Sequence, residues 1–186
     1  MTKEELRIGV FVCDCGSNIA VVVDVDELRR FAETLPDVVA AVRNKYTCSD
    51  PGQQEIQQTI FEHKLNRVVV AACTPKTHEP LFQETLLNAG LNKYLFEMAN
   101  IRNQDSWVHK NNPELATKKA KDLVRMAVHK VSLMAPLKEA ELEINQTAMV
   151  VGGGISGMAA ARSLARQGYE THIVEKDSQL GGQARK

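Results

Sequence analysis

Cys13 and Cys15 stand one residue apart in the stretch VCDCGSN, where an apolar run stops, and Cys48 and Cys73 follow at long range. Thiols so placed can close disulfides, ligate a metal or cluster, or lie buried and unligated. The opening MTKEELRIGV carries charges where a secretory leader needs a continuous apolar core, and no apolar run approaches the roughly 20 residues that cross a bilayer. A cytoplasmic protein with no membrane span is expected, and in a reducing compartment structural disulfides are disfavoured. Cys-x-Cys with two distant partners is not the paired Cys-x2-Cys spacing of a zinc ribbon, so the case for a site rests on convergence. Four thiolates suit a 4Fe-4S cluster or a tetrahedral zinc, and sulfur ligation alone does not choose between them. Unligated structural or redox thiols are the competing reading. Gly16 fits a turn that passes close to a cluster and exposes N–H groups toward sulfur, and it serves a plain turn equally well.

The second chemistry-bearing stretch is TAMVVGGGISGMAAARSLARQGYETHIVEKD, residues 147–177. Gly152, Gly154 and Gly157 form G-x-G-x-x-G between an apolar strand and an alanine-rich helix, with a second strand, THIVEK, after Gly168. In such a unit Gly152 permits the tight turn, Gly154 lets the backbone approach a pyrophosphate, and Gly157 lets helix and strand pack closely. The loop residues Gly153, Ile155 and Ser156 complete the candidate phosphate cradle at the helix N-terminus. Glu175, at the end of the second strand, is placed to accept from ribose hydroxyls, which favours FAD or NAD over NADP. Lys176 adjoins it, and Gly181 and Gly182 lie in a loop that could cover the dinucleotide.

These residues need a scaffold, and the hydrophobic periodicity supplies one. RIGVFVC (7–13), DVVAAV (37–42), RVVVAAC (67–73) and KYLFEM (93–98) read as strands. Residues 24–35, 49–64 and 78–90 read as the helices between them. Thr74, Pro75 and Lys76 read as a capped turn before the third helix. Alternating strands and helices imply an α/β fold with a parallel sheet and right-handed crossovers. All four cysteines then fall at the C-terminal edge of that sheet, where open α/β sheets build their sites. A long helix spans about Pro113 to Met134, with Leu123, Val124, Ala127, Val128 and Val131 as its apolar stripe. The expected organisation is an N-terminal α/β domain over 1–135, a linker over 136–146, and over 147–186 the first βαβ unit of a Rossmann-like FAD-binding domain. Two strands do not make a whole dinucleotide domain, so the chain is expected to be a fragment, a split subunit or a truncated gene product.

Composition narrows the partners. Over 186 residues, 23 basic and 23 acidic side chains cancel, which gives no electrostatic case for nucleic acid or an anionic membrane. The lysine-rich face of the long helix reads as a solvated surface. No histidine has a partner at ligand spacing, so none enters the site.

Taken in order, GVFVCDCGSNI, YTCSDPGQ, VVVAACTPKTHEPLF, ANIRNQDSWVH and VVGGGISGMAAARSLARQGYETHIVEK followed by LGG resemble the N-terminal region of the A-type, FAD-containing iron-sulfur subunit of heterodisulfide reductase and its bacterial electron-transfer relatives. The resemblance implies a redox subunit carrying FAD and 4Fe-4S clusters. It also implies B-type and C-type partner subunits, and a hydrogenase or formate dehydrogenase as electron donor for reduction of the CoM-S-S-CoB disulfide. It assigns Gly152 to Gly157, Glu175, Lys176, Gly181 and Gly182 to FAD, Cys13, Cys15, Cys48 and Cys73 to a cluster, and no catalytic residue, since disulfide cleavage belongs to a partner. The family's later cysteine motifs and the rest of its flavin domain are absent from this sequence. Two other readings stand beside this one: a flavoprotein subunit of a quinone-interacting or NAD-linked complex, and a non-catalytic assembly module whose cysteines bind zinc or nothing.

Overall fold

The computed structural model describes residues 5–185, and the chain divides into two compact units, one running to Lys138 and one from Glu139. The first unit alternates β1 (Ile8–Cys13), α1 (Val25–Ala32), β2 (Val38–Asn44), α2 (Asp50–His63), β3 (Arg67–Ala72), α3 (Pro75–Asn88), β4 (Phe96–Asn100) and α4 (Pro113–Ser132). The strands pair in the order β2-β1-β3-β4, all parallel, with Val10 flanked by Ala41 and Val69.

Every residue of β1 and β3 is buried, which is why both read as unbroken apolar runs rather than as alternating ones. One face of the sheet is covered by α1 and α4, in a core that includes Val10, Val12, Leu28, Val124 and Val128. The other is covered by α2 and α3, around Phe11, Ile56, Val70, Phe82 and Leu86. Side-chain caps start the helices. Asp24 Oδ1 accepts from the Glu27 N–H at 2.8 Å, and Asn112 Oδ1 accepts from the Leu115 N–H at 3.1 Å.

The helix predicted over 78–90 begins at Pro75 instead. Thr74 caps it, and Pro75 occupies the first turn, where a missing N–H costs nothing. The fourth strand likewise lies at 96–100 rather than 93–98. Between β4 and α4 the chain makes a feature that periodicity does not announce, a π-turn over Arg102–Ser106. Its signature bonds run from the Ser106 N–H to Ile101 O at 3.1 Å and from the Trp107 N–H to Arg102 O at 3.0 Å.

The second unit holds β5 (Ala148–Val151), α5 (Ile155–Arg166) and β6 (Thr171–Val174), with β5 and β6 parallel. Together the elements give a mixed α/β architecture of parallel sheets, the second carrying a Rossmann-like unit. Among the described residues no helix is long and apolar enough to cross a membrane.

Candidate functional site

The strand order decides where a site can form in the first unit. From β1 the chain moves to β2 on one side and later to β3 on the other, so the order in which strands are added reverses between β1 and β3. That reversal opens a crevice at the C-terminal edge. Cys13 ends β1, Cys73 directly follows β3, Cys48 lies in the turn after β2, and Cys15 follows Cys13 in the turn after β1. All four are free thiols, with Cys13 and Cys73 buried and Cys15 and Cys48 half-buried.

Local backbone geometry presents the sulfurs. The Thr47 N–H donates to Cys13 Sγ at 3.4 Å, so the turn after β2 supplies an amide to a thiol of β1. Cys15 adopts a left-handed conformation (φ 43°), uncommon for a residue with a Cβ, and Gly16 continues it. Backbone bonds from Asp14 N–H to Asn44 O at 2.8 Å and from Cys15 N–H to Lys45 O at 3.2 Å fix this turn against the end of β2.

The thiols act on one another. Burial pushes the Cys73 thiol above its ordinary range, the Arg102 guanidinium pulls it down, and Cys48, Cys13 and Cys15 each add a smaller upward push. Burial also raises Cys13, against the Thr47 hydrogen bonds. The acid between the first two cysteines is neutralised separately. Arg43 grips Asp14 through two bonds of 2.8 and 2.9 Å and reaches Asp26 at 2.6 Å, and these carboxylates hold the guanidinium firmly protonated.

Among the described residues no three His, Cys, Asp or Glu side chains are grouped closely enough to hold a metal ion. A tetrahedral zinc needs its sulfurs about 2.3 Å from one point, roughly 3.8 Å from each other. A four-iron cube binds each thiolate at a different iron and so accepts a wider set. The sulfur-only donor set, the amide directed at Cys13 and the neighbouring guanidinium are groups that suit a thiolate-ligated centre such as a cluster.

The sequence did not single out Arg102. From the π-turn its Nη1 donates to Cys15 Sγ at 3.9 Å, while its guanidinium stacks over the Trp107 ring with 4.8 Å to the centroid. Trp107 Nε1 donates to Asn18 Oδ1 at 3.3 Å and Ser106 Oγ donates to Asn18 O at 2.6 Å, which ties the π-turn to the Cys15 turn. Asp105, in the same turn, is fully buried, and neither carboxylate oxygen has a hydrogen-bond partner. Lys76, by contrast, takes its place in the capped start of α3, where its N–H donates to Thr74 Oγ1 at 3.4 Å.

In the second unit the glycine loop has the geometry of a phosphate cradle. Gly152 sits at φ 101°, and a Cβ on Gly157 would lie 1.8 Å from Gly152 O, so the close packing of α5 on the β5 turn requires glycine there. A Cβ on Gly154 would meet nothing within 4 Å, which leaves open space beside the first turn of α5. Gly154 is the N-cap and has no capping side chain, Gly153 is buried, and Ile155 and Ser156 are exposed in that turn, so no side-chain cap competes for its amides.

Glu175 directly follows β6 and accepts from the Gly153 N–H at 2.6 Å through Oε2 and from the Asp177 N–H at 3.0 Å through Oε1. The amides, that of Asp177 first, hold its carboxyl below the usual carboxylate range. Each oxygen keeps a further lone pair for a ribose hydroxyl. Gly181 donates its N–H to Gly153 O at 2.8 Å, so the last loop lies along the glycine loop. Gly152, Glu175, Lys176 and Gly182 line a cleft of about 490 Å³.

Residues 150–186 match the family described as NAD(P)-binding Rossmann-like domain. Over 97% of its length the chain is 55% identical to the A-type subunit of the H2:CoB-CoM heterodisulfide, ferredoxin reductase of Methanothermobacter marburgensis, covering 28% of that protein. It is 56% identical over 98% of its length to the second A-type iron-sulfur subunit of the CoB-CoM heterodisulfide reductase of Methanopyrus kandleri, again covering 28%. A protein of Archaeoglobus profundus, named as similar to the A-type subunit of heterodisulfide reductase, is 51% identical over 98% of this chain and 26% of its own length. The chain thus spans little more than a quarter of the curated relatives it matches.

Proposed function

We propose that this chain, 55–56% identical over nearly its whole length to A-type subunits of heterodisulfide reductase, is the part of such a subunit that seats one 4Fe-4S cluster and the dinucleotide end of a flavin. The observation that carries the reading is the gathering of four free thiols at the switch point of the first sheet. Cys13, Cys15, Cys48 and Cys73 hold the cluster, with Thr47 donating to sulfur. Gly152 to Gly157 receive the pyrophosphate, Glu175 the ribose, and Lys176, Gly181 and Gly182 border the cleft. The cluster supplies one-electron transfer and FAD supplies two-electron chemistry that can be split into single electrons.

The chain's own groups do the supporting work. Buried strand ends exclude water from Cys13 and Cys73. Arg43 removes the charge of Asp14 from the vicinity of the thiolates, and the amides of the α5 N-terminus offset phosphate charge. Within a complex of B-type and C-type subunits, this region passes electrons from a hydrogenase- or formate dehydrogenase-type donor toward reduction of the CoM-S-S-CoB disulfide. The names of the Methanothermobacter and Methanopyrus relatives carry that disulfide. The location is the cytoplasm. Residues 1–135, 136–146 and 147–186 serve respectively as cluster domain, linker and opening of the flavin domain.

The test is iron, zinc, acid-labile sulfide and flavin analysis of the full-length subunit, purified without oxygen from its complex, beside its Cys48→Ser variant. The variant is expected to lose about four irons and keep its flavin. Unchanged iron in the variant, or zinc replacing iron in the parent, would overturn the reading.

A further inference from the structure

Resting on that cluster reading, we propose that Arg102 is its positioning cation: the π-turn after β4 holds the guanidinium at the thiolates, where its fixed positive charge makes the cluster easier to reduce.

The geometry on three sides of Arg102 supports this. Its Nη1 donates to Cys15 Sγ at 3.9 Å, and its Nε donates to Asn103 Oδ1 at 3.2 Å. Its flat face rests on Trp107, an orientation available to a guanidinium and poorly matched by an ammonium. Trp107 is itself held by Asn18, three residues beyond Cys15, so the cation and the cysteine turn are fastened to each other rather than to separate parts of the sheet. Arg43, a second arginine near these turns, is neutralised by Asp14 and Asp26. The side-chain contacts of Arg102 are instead an amide oxygen, a sulfur and an aromatic face.

The π-turn has no stabilising periodicity of its own, and its wide i to i+5 bonds bring residue 102 back over the C-terminal edge instead of continuing away from it. Reduction adds one negative charge to a centre already made anionic by its thiolates, and a half-buried positive charge beside it lowers that cost.

The experiment follows the cluster signal that disappears in Cys48→Ser, titrated with potential by electron paramagnetic resonance in the full-length subunit within its complex. In Arg102→Gln the signal should move to more negative potential, so that at the parent midpoint the ratio of oxidised to reduced cluster rises roughly tenfold, as expected for one charge in a partly screened site. Arg102→Lys keeps the charge and should recover most of the shift. Equal shifts in both variants would mean that the residue acts through shape, and an unmoved midpoint in Arg102→Gln would remove its influence altogether; either overturns the proposal. If Arg102→Gln loses the signal, retention near the parent midpoint in Arg102→Lys sustains the proposal, and loss there as well overturns it. A parent protein with no signal dependent on Cys48 refutes the cluster reading itself, which the iron analysis reports independently.

Discussion

Asp105 shows how much a single side chain in the π-turn costs the fold. Its carboxyl is fully buried without a hydrogen-bond partner, and loss of hydration pushes its pKa up to about 6 from 3.8, only partly opposed by the charge of Lys119. An acid raised in the folded state binds its proton more tightly there than in the unfolded chain. Stability attributable to it is therefore highest below about pH 4, falls as pH rises toward 6, and stays reduced above that. Asp105→Asn removes the buried charge and should stabilise the chain at pH 8 by about 1–3 kcal/mol, the linkage cost of a carboxyl whose pKa is raised to about 6, with the advantage shrinking toward pH 4. Urea denaturation of both proteins at the two pH values measures this, and an advantage equal at both would contradict it.

At the scale of elements, the strands and helices were legible where burial wrote a period into the sequence. The apolar runs of β1 and β3 are visible because helices cover both faces of the sheet, and the stripe Val124, Ala127, Val128, Val131 is visible because α4 lies on it. The candidate thiols could be placed at strand ends for the same reason. The crevice between β1 and β3 could not, because strand order arises from crossovers rather than from any local pattern. Arg102 escaped notice because a five-residue π-turn has no repeat to detect, and an arginine followed by Asn and Gln reads as surface. The glycine loop was legible because its spacing is itself a packing rule, and Gly157 tests that rule. With Gly152 O only 1.8 Å from a Cβ there, Gly157→Ala must push α5 away from the β5 turn. The full-length subunit carrying it should be purified with less than a tenth of the parent's flavin, read from the flavin absorbance of the denatured supernatant.

For the molecule as a whole, the division into two compact units has a functional consequence. The sheet that gathers the cysteines closes its hydrophobic cores with its own helices, α1 and α4 on one face and α2 and α3 on the other. The βαβ unit builds its cradle from β5, α5, β6 and the loops that follow β5 and β6, and the first unit carries its thiols in and after β1 and in the turns after β2 and β3. Loss of one cofactor should then leave the other in place. In the full-length subunit, Cys48→Ser is expected to lose iron at constant flavin, Gly157→Ala to lose flavin at constant iron, and the double variant to show the sum of the two losses. Independent sites lose their cofactors additively, whereas coupled sites would not. Iron and flavin assayed on the four proteins complete the cycle, and flavin loss in Cys48→Ser would show that the cysteine unit helps to form the flavin site.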